Sequence, residues 1–180
     1  MSRPQRPRPP LQPSDVERLA LRYVERFATT RTRLSDYLKR KIRERGWAGD
    51  DPPDTEALAG RMAELGYVDD RAFAEARAGA MGRRGLGARR IGQALRHAGI
   101  ESEDAEAIAP AIEADAEASA VAFARRRRIG PFSHEIADRP LREKQLAAML
   151  RAGHALDLAR KIVRMAPGES VEALLAPDRD

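Results

Sequence analysis

The sequence predicts an all-α fold, and three observations support this prediction. Ala, Leu, Arg and Glu, which all favour helices, dominate the 180 residues, and aromatic residues make up only 4%. Apolar residues recur at spacings of three and four along most of the chain, as on one face of a helix. Glycines interrupt these patterns at regular intervals. The predicted architecture is an elongated array of three tandem three-helix repeats, each resembling a helix-turn-helix unit.

Composition also limits the class of protein. With 42% hydrophobic and 34% charged residues, the chain fits one domain or a short repeat array. The absence of cysteine excludes a disulfide framework and a thiolate zinc site. No run of 18 apolar residues is present, and the N-terminus lacks the apolar core of a signal peptide. We therefore expect a cytoplasmic protein without a membrane partner.

Residues 1–13 form a segment of distinct composition. They include five prolines and three arginines, too few apolar groups to offset the entropy lost on ordering. We predict a flexible basic arm.

The first predicted repeat covers residues 14–66. Ser14 and Glu17 form a capping-box pattern at the start of its first helix. The second helix is basic and ends at Gly46, and Asp54 caps the third, which stops at Gly66. The predicted core positions are Val16, Leu19, Ala20, Tyr23, Val24 and Phe27 in the first helix, Leu34, Leu38 and Ile42 in the second, and Leu58, Met62 and Leu65 in the third.

The second predicted repeat covers residues 67–113. Asp69 and Asp70 mark the start of its first helix. Gly82, Gly85 and Gly87 break the helical pattern and predict a tight corner. A third helix starts at Ser102 or Asp104, and its Pro110 either kinks it or begins the next helix. The apolar positions are Phe73, Ala74, Ala78 and Met81, then Ile91, Ala94, Leu95 and Ala98, then Ala105, Ile108 and Ile112.

The third predicted repeat covers residues 114–166, followed by a loosely ordered tail, residues 167–180. Its first helix ends in four arginines, and a loop over 129–140 precedes a helix that closes at Gly153. A last helix runs to Pro167. The predicted core positions are Ala120, Val121 and Phe123, then Leu141, Leu146, Met149 and Leu150, then Leu156, Leu158, Ala159, Ile162 and Val163.

Three glycines give the repeat its period. Gly46, Gly99 and Gly153 each end a basic helix and are followed by a short helix, with separations of 53 and 54 residues. Apolar residues precede each glycine at closely matching distances. Units of this kind bury their apolar faces by stacking on one another.

Charge is segregated along the chain. The net charge of +5 and a pI near 10 favour an anionic partner. From Arg77 to His97 there are six arginines and no acidic residue, whereas residues 101–117 carry seven acidic residues and no basic one. The second predicted repeat therefore places a strongly positive corner beside an acidic helix.

The central stretch contains two motifs, GYVDDRAFA and GLGARRIGQALRHAGI. They resemble those of a known family, the bacterial RecX regulatory proteins. The positions that match the family pattern in the second motif are Gly87, Arg89 or Arg90, Ile91, Leu95, Gly99 and Ile100. The segment YVERFATTRTRLSDYLKRKIRERG resembles the family's first repeat, with Asp36 where Glu is commoner. The likeness spans residues 15–165 and is weakest in the last third, where His154 replaces a bulky apolar residue.

The resemblance implies a function that composition and spacing do not show. It implies a modulator that binds the filament of RecA recombinase on single-stranded DNA and mainly inhibits recombination, within the regulation of DNA repair and the SOS response. It implies no catalytic residue and no cofactor. We expect a monomer that contacts DNA phosphates without sequence preference.

The candidate binding residues are basic side chains on the predicted second helices, the central corner and the arginine-rich helix end. Arg83, Arg84, Arg89 and Arg90 flank a helix N-terminus whose glycine amides could cradle a phosphate. A solvated helix face is the alternative for these residues, and capping of a helix end is the alternative for the 125–128 run. The full set is Lys39, Arg40, Arg43, Arg83, Arg84, Arg89, Arg90, Arg96, Arg125 and Arg126.

Other sites are disfavoured. Gly85 and Gly87 lack the Gly-Lys-Ser/Thr of a nucleotide-binding loop, and the three histidines lie far apart, without metal-ligand spacing. Most aromatic residues occupy core positions, with Trp47 and Tyr67 expected to fill junctions between helices, so a base-stacking platform is disfavoured too.

A second class of function stays open. Sequence-specific DNA-binding regulators of the helix-turn-helix type are also built from three-helix units with a basic helix. Such a regulator discriminates its site by about three decades or more over random DNA, whereas a filament modulator binds DNA weakly and in a salt-sensitive way. An enzyme ranks third, since no catalytic constellation is present.

Overall fold

The computed structural model describes residues 9–175, and its regular secondary structure is helical, which confirms the all-α fold class. One isolated parallel bridge, between Leu11 and Trp47, is the exception in this part of the chain. The helices are α1 Pro13–Val24, α2 Arg31–Arg45, α3 Thr55–Glu64, α4 Asp70–Arg83, α5 Ala88–Arg96, α6 Ser102–Ala114, α7 Ala116–Arg127, α8 Arg139–Ala152, α9 Leu156–Arg164 and α10 Glu172–Leu175, with a 3-10 turn at Gly130–Phe132.

The described residues form two compact units. The first unit reaches Phe73 and includes Ala98–Ile100, and the second comprises Ala74–His97 and the chain from Glu101 onward. The predicted division into three repeats at 14–66, 67–113 and 114–166 stays a prediction. None of the described helices has the length and apolar character needed to cross a membrane.

The core of the first unit lies between α1, α2 and α3. Leu34 and Leu38 of α2 are fully buried, as the i+4 spacing predicts. Ser35 and Thr55 share a buried hydrogen bond of 2.8 Å between their hydroxyl groups, which joins α2 to the start of α3. The other buried apolar members are Leu11, Val16, Ala20, Leu58, Ala59, Met62 and Val68.

The core of the second unit lies between α7, α8 and α9. Phe123, Met149 and Ile162 come from these three helices and are all buried. Ser119 of α7 donates a hydrogen bond to the Leu86 carbonyl (2.9 Å), which holds the segment between α4 and α5 against this helix. The remaining buried members are Ala120, Val121, Ala124, Ile129, Ala152, Ala159, Val163 and Leu174.

The three periodic glycines lie at helix ends with positive φ: 84° for Gly46, 74° for Gly99 and 96° for Gly153. Gly46 and Gly153 are the C-caps of α2 and α8, as predicted, whereas α5 ends at Arg96 with its C-cap at His97, two residues before Gly99. Each glycine precedes a further helix. Gly99 also lies against α2, because a Cβ there would come within 2.3 Å of Thr32 Cβ. Thr30 and Thr32 donate hydrogen bonds to the carbonyls of Ala98 (2.6 Å) and Gly99 (3.1 Å).

The start of the described chain differs from the flexible arm predicted for residues 1–13. Leu11 is fully buried, its N–H donates to the Gly46 carbonyl and its carbonyl accepts from Ala48 N–H. Burial of one leucine side chain and two backbone hydrogen bonds offset the entropy cost that the composition suggested. The N-cap of α1 is accordingly Gln12, whose N–H donates to Asp15, rather than Ser14. Residues 1–8 of the predicted arm lie outside the described residues.

Five predicted positions are wrong. Leu141 and Leu156, in the first turns of α8 and α9, are exposed. The other three are wrong because their helices end earlier than the apolar pattern does. Phe27 lies beyond the end of α1, and Leu65 and Tyr67 lie at and beyond the end of α3. Their side chains are 51%, 67% and 52% exposed, so Leu65 is not a core residue and Tyr67 does not fill a junction. Trp47, in contrast, is half-buried against the first core.

The second unit also departs from the predictions in detail. Helix α6 starts at Ser102 and keeps Pro110 inside it, so this proline does not begin the next helix. The predicted loose tail contains α10, whose Leu174 is buried in the second core. Residues 176–180 lie outside the described residues.

Candidate nucleic-acid interface

All ten predicted binding residues are exposed. Three of them lie on α2 of the first unit, where two already have acidic partners. Lys39 Nζ is 2.8 Å from Glu56 Oε1, and Arg40 Nε is 3.7 Å from Glu44 Oε1. The hydrogen bond to Glu56 raises the pKa of Lys39. Arg43 forms no ion pair with a described residue, so it is the least engaged cation of this helix.

The other seven lie in the second unit, on three helices. Arg83 ends α4 and Arg84 follows it, Arg89, Arg90 and Arg96 lie on α5, and Arg125 and Arg126 lie in the last turn of α7. The segment Gly85–Gly87 joins α4 to α5 and packs against α7: a Cβ at Gly85 would lie 2.6 Å from Phe123 N. The fold therefore brings the ends of α4 and α7 and the start of α5 into one region.

None of these seven arginines forms an ion pair with a described residue. Arg89 Nη2 donates to the Leu150 carbonyl (2.8 Å), and the guanidinium of Arg125 lies 5.1 Å from the centroid of the Phe132 ring. Arg90 Nη1 is 3.4 Å from Gln93 Oε1, a neutral acceptor. No carboxylate of a described residue therefore neutralises these seven arginines by direct contact.

The predicted phosphate cradle at the glycines is wrong. Gly85 and Gly87 are both buried, and their N–H groups donate to the carbonyls of Gly82 (2.7 Å) and Ala152 (2.9 Å). Arg89 N–H donates to the Gly153 carbonyl (3.3 Å). The amides of Gly87 and Arg89 are thus hydrogen-bonded to carbonyls at the C-terminal end of α8, and that of Gly85 to Gly82, so none of the three is free to bind a phosphate. What stays accessible for an anion is the arginine side chains.

His154 belongs to the packing of this region. It is buried, its Nε2 is 3.1 Å from the Gly85 carbonyl oxygen, and its ring centroid is 5.5 Å from that of Phe123. Burial lowers the pKa of His154, because the charged imidazolium loses hydration there. His154 is therefore a buried side chain whose neutral form is favoured. Within residues 9–175, no group of three histidine or acidic side chains is placed to hold a metal ion.

Two features of the first unit were missed from the sequence. Asp70 does not cap α4; its carboxylate accepts from Arg31 N (2.9 Å) and Arg31 Nε (3.1 Å) and so supports the start of α2. Tyr23 and Tyr37 stack with their ring centroids 4.2 Å apart. Both pairings join residues far apart in the chain, so no local pattern reveals them. The i,i+4 spacing of Tyr23 and Phe27 was the one available signal for an aromatic cluster.

Comparison with known proteins identifies the family. The family model for "RecX, second three-helix domain" matches residues 69–107, which contain α4, the glycine segment and α5. The Regulatory protein RecX of Myxococcus xanthus is 33% identical over 172 residues, covering 91% of both chains. That of Agrobacterium fabrum is 28% identical over 159 residues, covering 86% of this chain and 85% of the relative.

A solved structure supports the fold. The crystal structure of RecX from Lactobacillus salivarius matches with a TM-score of 0.64 and 22% identity, covering 84% of this chain and 94% of that one. At this identity the match concerns the helical architecture. With the extent and identity of the sequence matches, it follows that the chain belongs to the RecX family of regulatory proteins.

Proposed function

We propose that this protein binds the filament that RecA recombinase forms on single-stranded DNA and mainly inhibits its activity. In this account the protein regulates recombination and DNA repair without catalysing a reaction itself. Family membership supports the regulatory role, and the exposed arginines supply a physical means of approaching a polyanion.

The observation that carries this proposal is the set of exposed arginines without ion pairs on the second unit. Seven exposed arginines lie on α4, α5 and α7 or directly beside them, and none has a carboxylate partner among the described residues. Neutralising a phosphate releases condensed counterions, which favours binding and makes it strongly salt-dependent. Arginine also pairs with phosphate through two parallel hydrogen bonds.

The binding is expected to be blind to sequence. A sequence-reading helix offers its N-terminal residues to base edges in the major groove. The backbone amides of Gly87 and Arg89 at the start of α5 are instead bonded to the end of α8, and Arg89 reaches the Leu150 carbonyl. Contacts to phosphates therefore fit this surface better than contacts to base edges.

Direct binding measurements test the proposal. Immobilised single-stranded DNA is compared bare and after coating with RecA and a non-hydrolysable ATP analogue, over a series of salt concentrations. We expect tighter binding to the coated strand and weak, salt-sensitive binding to bare strands of any sequence. Binding to one duplex site about a thousandfold tighter than to random DNA would instead show a sequence-specific regulator.

A further inference from the structure

We propose that Tyr23, Phe27 and Tyr37 form a stacking site for a base of single-stranded DNA on the first unit. We call these three rings the aromatic cluster. The inference deepens the proposed function and rests on it, because it specifies how part of the DNA is held. It also goes against the sequence-based expectation that the aromatic residues serve the core alone.

The rings form a continuous series. Tyr23 of α1 stacks on Tyr37 of α2 with an interplanar angle of 23°, and Phe27 lies 5.2 Å from Tyr23 at 49°. The two tyrosines are half-buried against the first core, whereas Phe27 is half exposed. Phe27 N–H donates to the Tyr23 carbonyl (2.9 Å), which fixes its backbone one turn beyond the tyrosine. The series therefore runs from the core to an accessible outer ring.

Cations surround the cluster. The guanidinium of Arg26 lies 6.0 Å from the centroid of Phe27, and Arg40 and Lys41 lie 5.5 and 5.9 Å from that of Tyr37. Glu44 pairs with Lys41 and Arg40, and the hydrogen bond from Lys41 lowers the pKa of Glu44. Three cations around one carboxylate leave a local excess of positive charge beside the rings.

A nucleotide of a single DNA strand can contact both the aromatic cluster and the cations beside it. Each base has a flat π face that stacks on an aromatic ring, and the adjoining phosphates pair with nearby cations. An acidic protein segment would satisfy the cations and leave the Phe27 ring in water. In duplex DNA the base faces are already stacked, so the proposed ligand is a single strand.

The test separates base contacts from phosphate contacts. Binding of the full chain to a labelled thymidine oligonucleotide is measured by fluorescence anisotropy, alongside an abasic strand of equal length and phosphate count. Phe27→Ala should weaken binding to the thymidine strand by roughly tenfold, which corresponds to loss of one stacked base, and should leave binding to the abasic strand unchanged.

Tyr67→Ala is the matched control, because Tyr67 is an aromatic residue of the same unit with nearly equal exposure (52% against 51%). It should change neither affinity, and Phe27→Trp should retain binding to the thymidine strand. Circular dichroism establishes that each variant keeps its helix content.

Each other outcome has a definite meaning. If Phe27→Ala leaves both affinities unchanged, or lowers both equally, the stacking site is wrong while the proposed DNA contact stands. A wild-type protein that binds neither strand at any salt concentration would overturn the stacking site and the proposed DNA contact together.

Discussion

Among single residues, Asp69 and Asp70 show how adjacent identical side chains acquire different tasks. Asp69 Oδ1 accepts from Ala72 N–H (2.8 Å) and caps α4 in the ordinary way. Asp70 turns to the other side and holds Arg31, the first residue of α2. The second task needs a partner 39 residues away, so the sequence pattern predicts the first task only.

Asp70→Ala should lower the free energy of unfolding by about 1–3 kcal/mol, because it removes the two hydrogen bonds that the Asp70 carboxylate accepts from the amide and guanidinium of Arg31. Asp36→Ala, at an exposed aspartate of the same unit, should stay within about 0.5 kcal/mol of the wild type. Urea denaturation followed by circular dichroism measures both. Equal losses would show that the Asp70 contact contributes nothing specific.

His154 makes stability depend on pH. The pKa is lowered in the folded protein, so between that value and the ordinary value of 6.5 the unfolded chain binds a proton that the folded chain does not. This contribution is fully present above about pH 6.5 and is lost as the pH falls through and below it.

His154→Leu should therefore flatten the dependence of unfolding free energy on pH between about 7.5 and 5.5. The comparison concerns the slope, since loss of the hydrogen bond to the Gly85 carbonyl also changes the absolute stability. Denaturation at a series of pH values measures it. An unchanged slope would assign the pH dependence to other groups.

At the scale of helices, the ends of α8 and α5 meet backbone to backbone. A Cβ at Gly153 would lie 2.5 Å from Arg90 N, and one at Gly87 would lie 2.4 Å from the Gly153 carbonyl. Two backbone segments can approach this closely only where neither residue has a side chain. The position of the arginines on α5 thus depends on a junction of two glycines.

Gly153→Ala should destabilise the protein clearly more than Gly66→Ala. Both glycines have positive φ (96° and 76°), which costs an alanine about 1–2 kcal/mol. Gly66 has open space around it, whereas Gly153 faces backbone atoms that cannot rotate away. We expect an additional loss of about 1–3 kcal/mol at Gly153, seen as a lower midpoint of thermal unfolding. Similar midpoints for the two variants would contradict the tight junction.

Features of these helices that depend on neighbouring residues could be predicted from the sequence, and features that depend on tertiary contacts could not. Helical periodicity and the glycine spacing predict the helix ends at Gly46 and Gly153 correctly, because capping depends on neighbouring residues. The occupation of the Gly87 amide by Ala152, and the stacking of Tyr23 on Tyr37, depend on tertiary contacts. The burial of Leu11 also depends on tertiary contacts, so the proline-rich sequence around it did not predict that burial.

At the scale of the whole molecule, charge on the second unit is expected to govern affinity for the filament. Arg83 and Arg84 are exposed and make no ion pair with a described residue, so their replacement should not disturb packing. Arg89 and Arg90, by contrast, take part in the junction with α8. Replacing only Arg83 and Arg84 therefore tests binding with less risk of disturbing the fold than replacing all four arginines.

Arg83→Glu with Arg84→Glu should weaken binding to the RecA-coated strand at least tenfold and reduce its salt dependence, because two phosphate contacts are lost. The control reverses Arg142 and Lys144, two exposed cations of α8 in the same unit, and produces the same change in net charge. Equal effects from the two double variants would mean that net charge, rather than the Gly85–Gly87 region, sets affinity. Binding is measured on immobilised strands with circular dichroism as the check on folding.

The central claim is that the protein acts on the recombinase filament itself. The most direct test is the ATPase activity of RecA on single-stranded DNA with this protein titrated in, beside its affinity for the same DNA without RecA. We predict that ATP hydrolysis falls at protein concentrations well below those that coat the bare strand. Unchanged hydrolysis at stoichiometric protein, or a decrease only when the bare strand is coated, would contradict the claim.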